Sequence, residues 1–249
     1  MSQLNDLPLS ELHFYLTAPY PCGYLPGVWA SSQVAAPSLL IDNQVYAELV
    51  QHGFRRSGAY TYRPHCDGCN ACVPLRVSAG EFTANRAQRR AWKQHAHLHT
   101  GLHGLQDKQE YYDLYHRYQR VRHPEGDMDN CESYLNLLLK SQVDSMLVEF
   151  REDEQLRMVS VIDLLSDGLS SVYTFYEPDL PSTCFGVYNV LWQIALCRQL
   201  KLDYVYLGYW IKHSRKMAYK VAYQPAQGLI NGAWEEIDRN GLIRNQPQD

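Results

Sequence analysis

The spacing of apolar residues changes at residue 145, and this change restricts the possible folds more than any other feature. Three strand-like segments follow one another, at 146–150, 156–165 and 169–176. Asp167-Gly168 is typical of a tight turn before the last of them. The pattern then predicts an amphipathic helix over 185–200 and a strand over 204–207. Three meandering strands, a helix and a strand indicate an α+β or α/β fold with a largely antiparallel sheet and flanking helices.

The first half of the chain predicts a helix, two strands and a cysteine-rich loop. Asp42 is placed to cap a helix over 42–52, and Gly53 is placed to end it. Short strands over 59–63 and 75–78 are predicted on either side of the cysteine-rich loop. Further helices are predicted at 106–122, 130–142 and 213–221.

Length and composition describe an ordinary globular chain. Its 249 residues, 45% of them hydrophobic, allow one large domain or two modest ones. Histidine and glycine accumulate over 95–105, so we place a boundary there, between domains at 1–98 and 99–249. We find no secretion signal and no apolar run of the ~18 residues that a membrane helix needs. Together with seven cysteines, an odd number, this predicts a cytoplasmic protein with no membrane partner.

Basic residues are concentrated in two islands, although the formal net charge is −4. No acidic residue lies between Glu81 and Asp107 or between Asp203 and Glu235. The islands contain Arg86, Arg89, Arg90, Lys93, Lys212, Arg215, Lys216 and Lys220. The remaining fifteen basic residues stand against 27 acidic ones, a balance of −12. An acidic body with two basic islands favours a polyanionic partner that binds one face.

The first island has helical spacing. Arg86, Arg89, Arg90 and Lys93 stand at i, i+3, i+4 and i+7, which puts them on one helix face. A solvated helix face ordinarily includes acidic partners, and none is available here. Trp92 beside the stripe is suited to stacking on a base. The stripe either contacts RNA phosphates or is a solvent-exposed charged surface that binds nothing. The absence of acidic residues favours phosphate contact.

Cysteines form the second notable group. Cys66, Cys69 and Cys72 recur at two-residue intervals, and Cys22 is a possible fourth thiol. Thiolates suit zinc or an iron–sulfur cluster, so these four are candidate metal ligands. The alternative is a set of partly buried free thiols that hold a tight loop, and the spacing leaves both interpretations open.

Paired arginines follow the first predicted helix. Arg55 and Arg56 lie in a predicted tight loop bounded by glycines at 53–58, and Arg76 follows later in the chain. Guanidinium groups bind carboxylates in a bidentate manner. No acidic residue lies between Glu48 and Asp67, so the segment favours an acidic ligand. Surface arginines without a ligand are the equally simple alternative.

Several segments together resemble the bacterial branch of the arginyl-tRNA–protein transferase family. They are Cys22-Gly23-Tyr24-Leu25-Pro26, 53–58, 62–64 with 66–74, 88–90, Asp163 with 168–173, 207–211 and 216–220. The ordered set spans roughly residues 14 to 235. The resemblance implies a small N-terminal family domain followed by an acetyltransferase-like domain.

The resemblance also implies an activity: transfer of leucine from Leu-tRNA to proteins with N-terminal Asp or Glu, which marks them for N-end rule degradation. Charged tRNA and such proteins would be the partners, DNA would not, and no cofactor would be obligate. We assign the acceptor carboxylate to Arg55, Arg56 or Arg76, and the tRNA phosphates to the two islands. Asp163 is a candidate for accepting the amine proton or orienting the amine, and Tyr209 for donating a hydrogen bond to the oxyanion or the tRNA end. Asp163 equally suits a structural role at a strand end.

Other classes of function are weaker matches. Arginine is the alternative donor amino acid, because no residue pattern identifies the donor pocket. An acetyl-CoA enzyme would need a glycine-rich phosphate loop between the third meander strand and the helix that follows it. That segment, 177–187, has a single glycine, Gly186. A metal-dependent RNA-binding protein without catalysis would bind RNA but modify no peptide.

Overall fold

A computed structural model describes residues 11–124, 130–138, 140–180 and 183–244. The helices are α1 (Asn43–Gln51), α2 (Arg86–His95), α3 (Gln109–Arg122), α4 (Cys131–Leu138) and α5 (Phe185–Gln199), with 3-10 turns at Ser38–Leu40 and Ala218–Ala222. The strands are β1 (His13–Leu16), β2 (Tyr20–Pro21), β3 (Trp29–Ala30), β4 (Ser32–Ala36), β5 (Arg55–Ser57), β6 (Tyr60–Pro64), β7 (Val73–Ser78), β8 (His99–His103), β9 (Ser145–Glu152), β10 (Gln155–Leu164), β11 (Gly168–Tyr176), β12 (Tyr204–Trp210), β13 (Ala226–Ile230) and β14 (Ala233–Ile237). None of the described helices has the length and apolar character to cross a membrane.

Eight of the described strands form one large sheet in the order β14-β13-β7-β12-β11-β10-β9-β8. The pair β11–β12 is parallel and the other pairs are antiparallel. The parallel pair exists because α5 carries the chain from the end of β11 back to the start of β12. The predicted α+β class with a largely antiparallel sheet is therefore confirmed, including its sequence of meander, helix and strand.

Four of the described strands form a smaller sheet in the order β1-β4-β6-β5, and β2 pairs with β3. One face of the small sheet covers α1, whose buried side chains include Val45, Tyr46 and Leu49. Asp42 caps α1 as predicted, because its carboxylate accepts a hydrogen bond from the Val45 amide at 2.9 Å. Gly53 follows with a φ of +82°, a conformation that favours glycine.

The large sheet crosses the predicted domain boundary. Strand β7, from the first half of the chain, lies between β13 and β12. Edge strand β8 occupies much of the stretch that we assigned to the boundary. The division into 1–98 and 99–249 stays a prediction, and its first ten residues lie outside the described part of the chain.

Two predicted elements differ from the structure. The glycine-bounded segment 53–58 is not only a loop, because β5 within it pairs with β6 to form a hairpin. The helix predicted over 213–221 is a series of turns followed by the 3-10 helix Ala218–Ala222. In both cases tertiary contacts with the sheets override a short local pattern. The end of the helix predicted over 130–142 includes residue 139, which lies outside the described residues.

Candidate functional site

Two cationic side chains meet at a bulge in the large sheet. The pairing of β12 with β7 shifts register between Tyr206 and Gly208, and Gly208 has a φ of +72°. A Cβ atom placed on Gly208 would lie 3.2 Å from Arg55 Nη1 and 3.8 Å from Lys220 Nζ. Glycine thus leaves room for both cationic groups beside the strand.

Neither cation has an acidic partner. Arg55 Nη2 donates to the carbonyl oxygen of Val172 at 3.1 Å, and Lys220 Nζ donates to that of Tyr209 at 3.0 Å. The salt bridges found in the described part of the chain include neither side chain. Buried charges are ordinarily paired, so this arrangement is suited to an anionic ligand.

Lys220 was predicted to contact tRNA phosphates on an exposed basic helix, and the structure places it elsewhere. Its side chain is only 8% exposed. Burial, with Arg55 as a second cause, lowers the pKa of Lys220 to about 7, while Cys72 acts in the opposite direction. The sequence indicates this burial, because Lys220 lies in the segment Met-Ala-Tyr-Lys-Val-Ala-Tyr at 217–223. All six other residues of that segment are hydrophobic.

Tyrosines and a cleft surround the two cations. Burial raises the pKa of Tyr24, the nearby Arg55 lowers it, and Tyr62 and Cys72 add smaller contributions that raise it. Beside them is a cleft of 260 Å³, lined by Gln51, His52, Gly53, Arg63, Pro64, His65, Cys72, Pro74, Tyr209, Leu229 and Gly232. We call Arg55 and Lys220 the cationic corner. Neither residue lines the cleft itself, but Gly53, Pro74 and Tyr209 line both the cleft and a smaller cavity that Arg55 lines.

Arg56 points to the other face of β5 and is fully engaged. It forms a bidentate pair with Asp163, with Nε–Oδ2 at 2.7 Å and Nη2–Oδ1 at 2.5 Å. Ser145 donates to Asp163 at 2.6 Å, and the Arg56 and Asp163 side chains are 3% and 0% exposed. A substrate carboxylate would have to displace Asp163 to reach Arg56. The same contacts leave Asp163 with no surface that a substrate amine can approach.

Arg76 is enclosed by a cage of aromatic rings. Its guanidinium carbon lies 3.7 Å from the ring centroid of Tyr204 and 4.4 Å from that of Trp234. It also donates to the side-chain oxygens of Gln227 at 2.8 Å and Gln51 at 3.0 Å. Of the three arginines predicted to bind the acceptor, Arg55 makes the fewest hydrogen bonds to the described residues, so it has the most guanidinium hydrogens left for a ligand.

Tyr209 lines the cleft, but its hydroxyl is turned inward. It donates to the carbonyl oxygen of Gly53 at 3.0 Å, and the side chain is 3% exposed. Burial raises the pKa of Tyr209. Arg55 lowers this pKa and Tyr62 raises it, and both contributions are smaller than that of burial. The hydroxyl ties the end of α1 to β12, and the role in catalysis predicted for it stays a prediction.

The other seven predicted phosphate-binding residues are exposed, namely Arg86, Arg89, Arg90, Lys93, Lys212, Arg215 and Lys216. The salt bridges of the described residues use none of these seven side chains. Gln88, on the buried side of α2, donates to the Ala222 carbonyl oxygen at 3.3 Å and so brings the two islands together. The chain thus presents neighbouring cationic surfaces without counter-ions.

The cysteine cluster does not form a ready metal site. Within the described ranges, no three His, Cys, Asp or Glu side chains are grouped as a metal ion requires. Burial and the nearby Cys66, Cys22 and Cys69 raise the pKa of Cys72 to about 12, while Lys220 lowers it. A raised pKa favours the protonated thiol at this half-buried position. Zinc or an iron–sulfur cluster at Cys22, Cys66, Cys69 and Cys72 stays a prediction, and no step below passes through it.

Comparisons with known families match most of the chain. The family model described as "Arginine-tRNA-protein transferase, C terminus" matches residues 110–230. Its N-terminal counterpart matches residues 20–90. Together these segments contain Arg55, Asp163, Tyr209 and Lys220.

Individual relatives match over nearly their whole length. A protein of Nitrosospira multiformis named aspartate/glutamate leucyltransferase is 60% identical over 240 residues, 96% of each chain. A protein of the same name from Chromobacterium violaceum is 52% identical over 95% of this chain and 99% of its own. Among solved structures, L-PGS from Bacillus licheniformis aligns with a TM-score of 0.43 and 10% identity, covering 66% of this chain and 49% of that one.

Proposed function

The chain belongs to the arginine-tRNA-protein transferase family, and on that basis we propose that it transfers leucine from Leu-tRNA to the α-amine of proteins beginning with Asp or Glu. It is an aminoacyltransferase. The donor and acceptor residues follow the name shared by its relatives. The product carries an N-terminal leucine, the expected degradation signal. Because charged tRNA is a cytoplasmic substrate, we place the reaction in the cytoplasm.

The observation that carries the proposal is the cation pair of Arg55 and Lys220. Both side chains lie beside Gly208, and among the residues that the structure describes each donates to a backbone carbonyl and pairs with no carboxylate. An acceptor whose first side chain is a carboxylate supplies the missing negative charge. A lysine or arginine side chain would meet repulsion at the same place. Charge alone therefore selects acidic acceptors over basic ones.

The reaction forms an amide and breaks an ester. The neutral α-amine attacks the ester carbonyl of Leu-tRNA, and the tetrahedral intermediate then expels the ribose hydroxyl of the tRNA end. The proton lost by the amine balances the one gained by the leaving oxygen. A free α-amine has a pKa of about 7.7–8.0, and a nearby cation lowers it, since the charged form is disfavoured there. Binding beside Arg55 thus increases the neutral, nucleophilic fraction.

Orientation supplies the rest of the rate enhancement in this proposal. The carboxylate fixes the acceptor's first residue at the cationic corner, so the amine and the ester meet in attack geometry. Asp163 fits a positioning role better than proton transfer, because Arg56 and Ser145 occupy its oxygens. The Arg56–Asp163 ion pair fixes the position of β5, and Arg55 lies on the same strand.

Transfer RNA binding is assigned to the two basic islands. Their seven exposed cations form no ion pair among the described residues, and the Gln88–Ala222 hydrogen bond joins the segments that carry them. Such surfaces bind phosphates largely without regard to base sequence. The acidic remainder of the chain disfavours phosphate binding elsewhere.

Mass spectrometry of model peptides tests this function. Peptides beginning with Asp, Asn and Lys are incubated with the protein, total tRNA, leucyl-tRNA synthetase, leucine and ATP. We expect the mass of one leucine residue to be added to the Asp peptide, little addition to the Asn peptide and none to the Lys peptide. If the peptide gains mass only when arginine and arginyl-tRNA synthetase are supplied, the donor amino acid is arginine and not leucine. No gain with either donor, when both synthetases are active, would reject the transferase.

A further inference from the structure

The face of the small sheet that does not cover α1 presents a group of tyrosines. In the register of β1, β4, β6 and β5, Tyr15 opposes Val34, Val34 opposes Tyr62, and Tyr62 opposes Arg55. Directly opposed residues in antiparallel strands share a face. One row of side chains therefore leads from the outer edge of the sheet to the cationic corner.

Neighbouring tyrosines widen this row. Tyr60 lies two residues before Tyr62 and so shares its face. Tyr20 donates or accepts a hydrogen bond with Ser32 at 2.7 Å, and Ser32 lies two residues before Val34 on that face. We name these residues the tyrosine face: Tyr15, Tyr20, Tyr24, Tyr60 and Tyr62.

Much of this aromatic surface is open. Tyr15 is 59% exposed and Tyr60 is 72% exposed. The opposite face of the same strands is covered at its centre, where Ala35 and Thr61 are 2% and 4% exposed. The tyrosine face is thus an aromatic surface on which the rings of Tyr15 and Tyr60 are not covered by any described element.

The charge around the tyrosine face is one-sided. On the tyrosine face, strands β1, β4, β5 and β6 place His13 and Arg55 and no Asp or Glu, whereas Arg56 and Arg63 lie on the opposite face. Three spacings between strands of ~4.8 Å make the row ~14 Å long, or about four stacked nucleotides. Aromatic rings that end on a guanidinium match the requirements of unpaired nucleic acid.

From this geometry we infer that the tyrosine face binds the unpaired 3′ end of the donor tRNA and leads its aminoacyl ester to Arg55. The inference rests on the proposed function, because it assigns a binding surface to the same donor. An acceptor peptide fits the surface less well, since recognition of one acidic residue uses the corner but leaves the remote Tyr15 without a role. Bases stack on any exposed ring, whatever their sequence.

The test compares two neighbouring residues of β1. Tyr15→Ala removes a ring from the tyrosine face, and Leu16→Ala is the matched control, because Leu16 is equally exposed (60%) and points to the other face. We expect Tyr15→Ala combined with Tyr60→Ala to raise KM for Leu-tRNA about tenfold, with KM for an Asp peptide unchanged. Tyr15→Trp is expected to restore affinity, whereas Leu16→Ala leaves both values at the wild-type level.

Binding of a fluorescent single-stranded RNA with the sequence ACCA at its 3′ end provides a second readout that needs no catalysis. Weaker binding by the double variant, with the Leu16→Ala protein unchanged, supports the inference. Unchanged RNA binding and unchanged KM for Leu-tRNA reject it, as does a rise confined to the KM of the peptide. If the wild-type protein transfers no amino acid, the proposed function fails by itself, and the RNA measurement still decides what this surface binds.

Discussion

Arg55 and Arg56 are consecutive residues of one short strand, yet their surroundings are opposite. Arg56 is paired with Asp163 in a bidentate contact that also includes Ser145. Arg55 lies beside a second cation and donates a hydrogen bond to the backbone carbonyl of Val172. A chain selected only for stability would pair both charges. In the proposed function, the unpaired arginine is the place where a ligand completes the site, and the paired one fixes the strand that presents it.

The largest expected effect comes from breaking the paired side of this comparison. Asp163→Asn keeps the size of the side chain but leaves the Arg56 charge buried without a counter-ion. Loss of one partner of a buried pair costs about 3–5 kcal/mol of the free energy of unfolding. Urea denaturation followed by circular dichroism measures it. A loss below about 1 kcal/mol would mean that Arg56 and Asp163 do not form the buried pair in solution.

Replacing Arg55 is expected to have the opposite effect, because activity falls while stability does not. Arg55→Met removes a cation that has no acidic partner in the free protein, so the free energy of unfolding should stay the same or increase. Transfer to an Asp peptide should fall about a hundredfold in kcat/KM, because a carboxylate loses its charged hydrogen-bond donor. Steady-state kinetics with Asp and Asn peptides measures the selectivity. Equal losses for both peptides would assign Arg55 to a role other than binding the acidic side chain.

This contrast also shows what the sequence predicts and what it does not. The meander, α5 and β12 were predicted because apolar periodicity is a local signal, and the cap of α1 was predicted from Asp42. The pairing of Arg56 with Asp163 joins residues 107 positions apart, and no local pattern encodes that contact. Lys220 was grouped with the exposed lysines although its apolar neighbours at 217–223 indicate burial; its position beside Arg55 and Gly208, by contrast, depends on the fold. Strands such as β13 and β14 lacked a pattern distinct enough to predict.

Lys220 gives a smaller, pH-dependent effect. Its pKa is lowered to about 7, chiefly by burial and then by Arg55, with Cys72 opposing, so the amine of the free protein loses its proton as the pH rises through 7. A bound carboxylate favours the charged form, so binding takes up a proton above that pH. The Kd of an Asp peptide should rise by up to about tenfold per pH unit above 7.

Calorimetry with an Asp peptide between pH 6 and pH 9, in buffers of different ionisation enthalpy, counts that proton. Lys220→Met should bind more weakly at pH 6 and lose this part of the pH dependence. The peptide's own α-amine titrates identically in both proteins, so the difference between them reports Lys220. Curves for the two proteins that stay parallel across the pH range would remove Lys220 from the carboxylate site.

The smallest expected effects belong to the exposed islands, where the cations act as separate phosphate contacts in water. Arg90→Ala or Lys216→Ala should weaken Leu-tRNA binding several-fold, with the same loss for tRNAs of different sequence. Each should also reduce the slope of log Kd against log salt concentration by about one, because one fewer counterion is released. Filter binding at several salt concentrations measures both quantities. Lys201→Ala is a suitable control, since Lys201 is exposed but lies outside the islands. If that control changes the slope as much as Arg90→Ala does, the charges act through the net charge of the protein rather than through a defined tRNA surface.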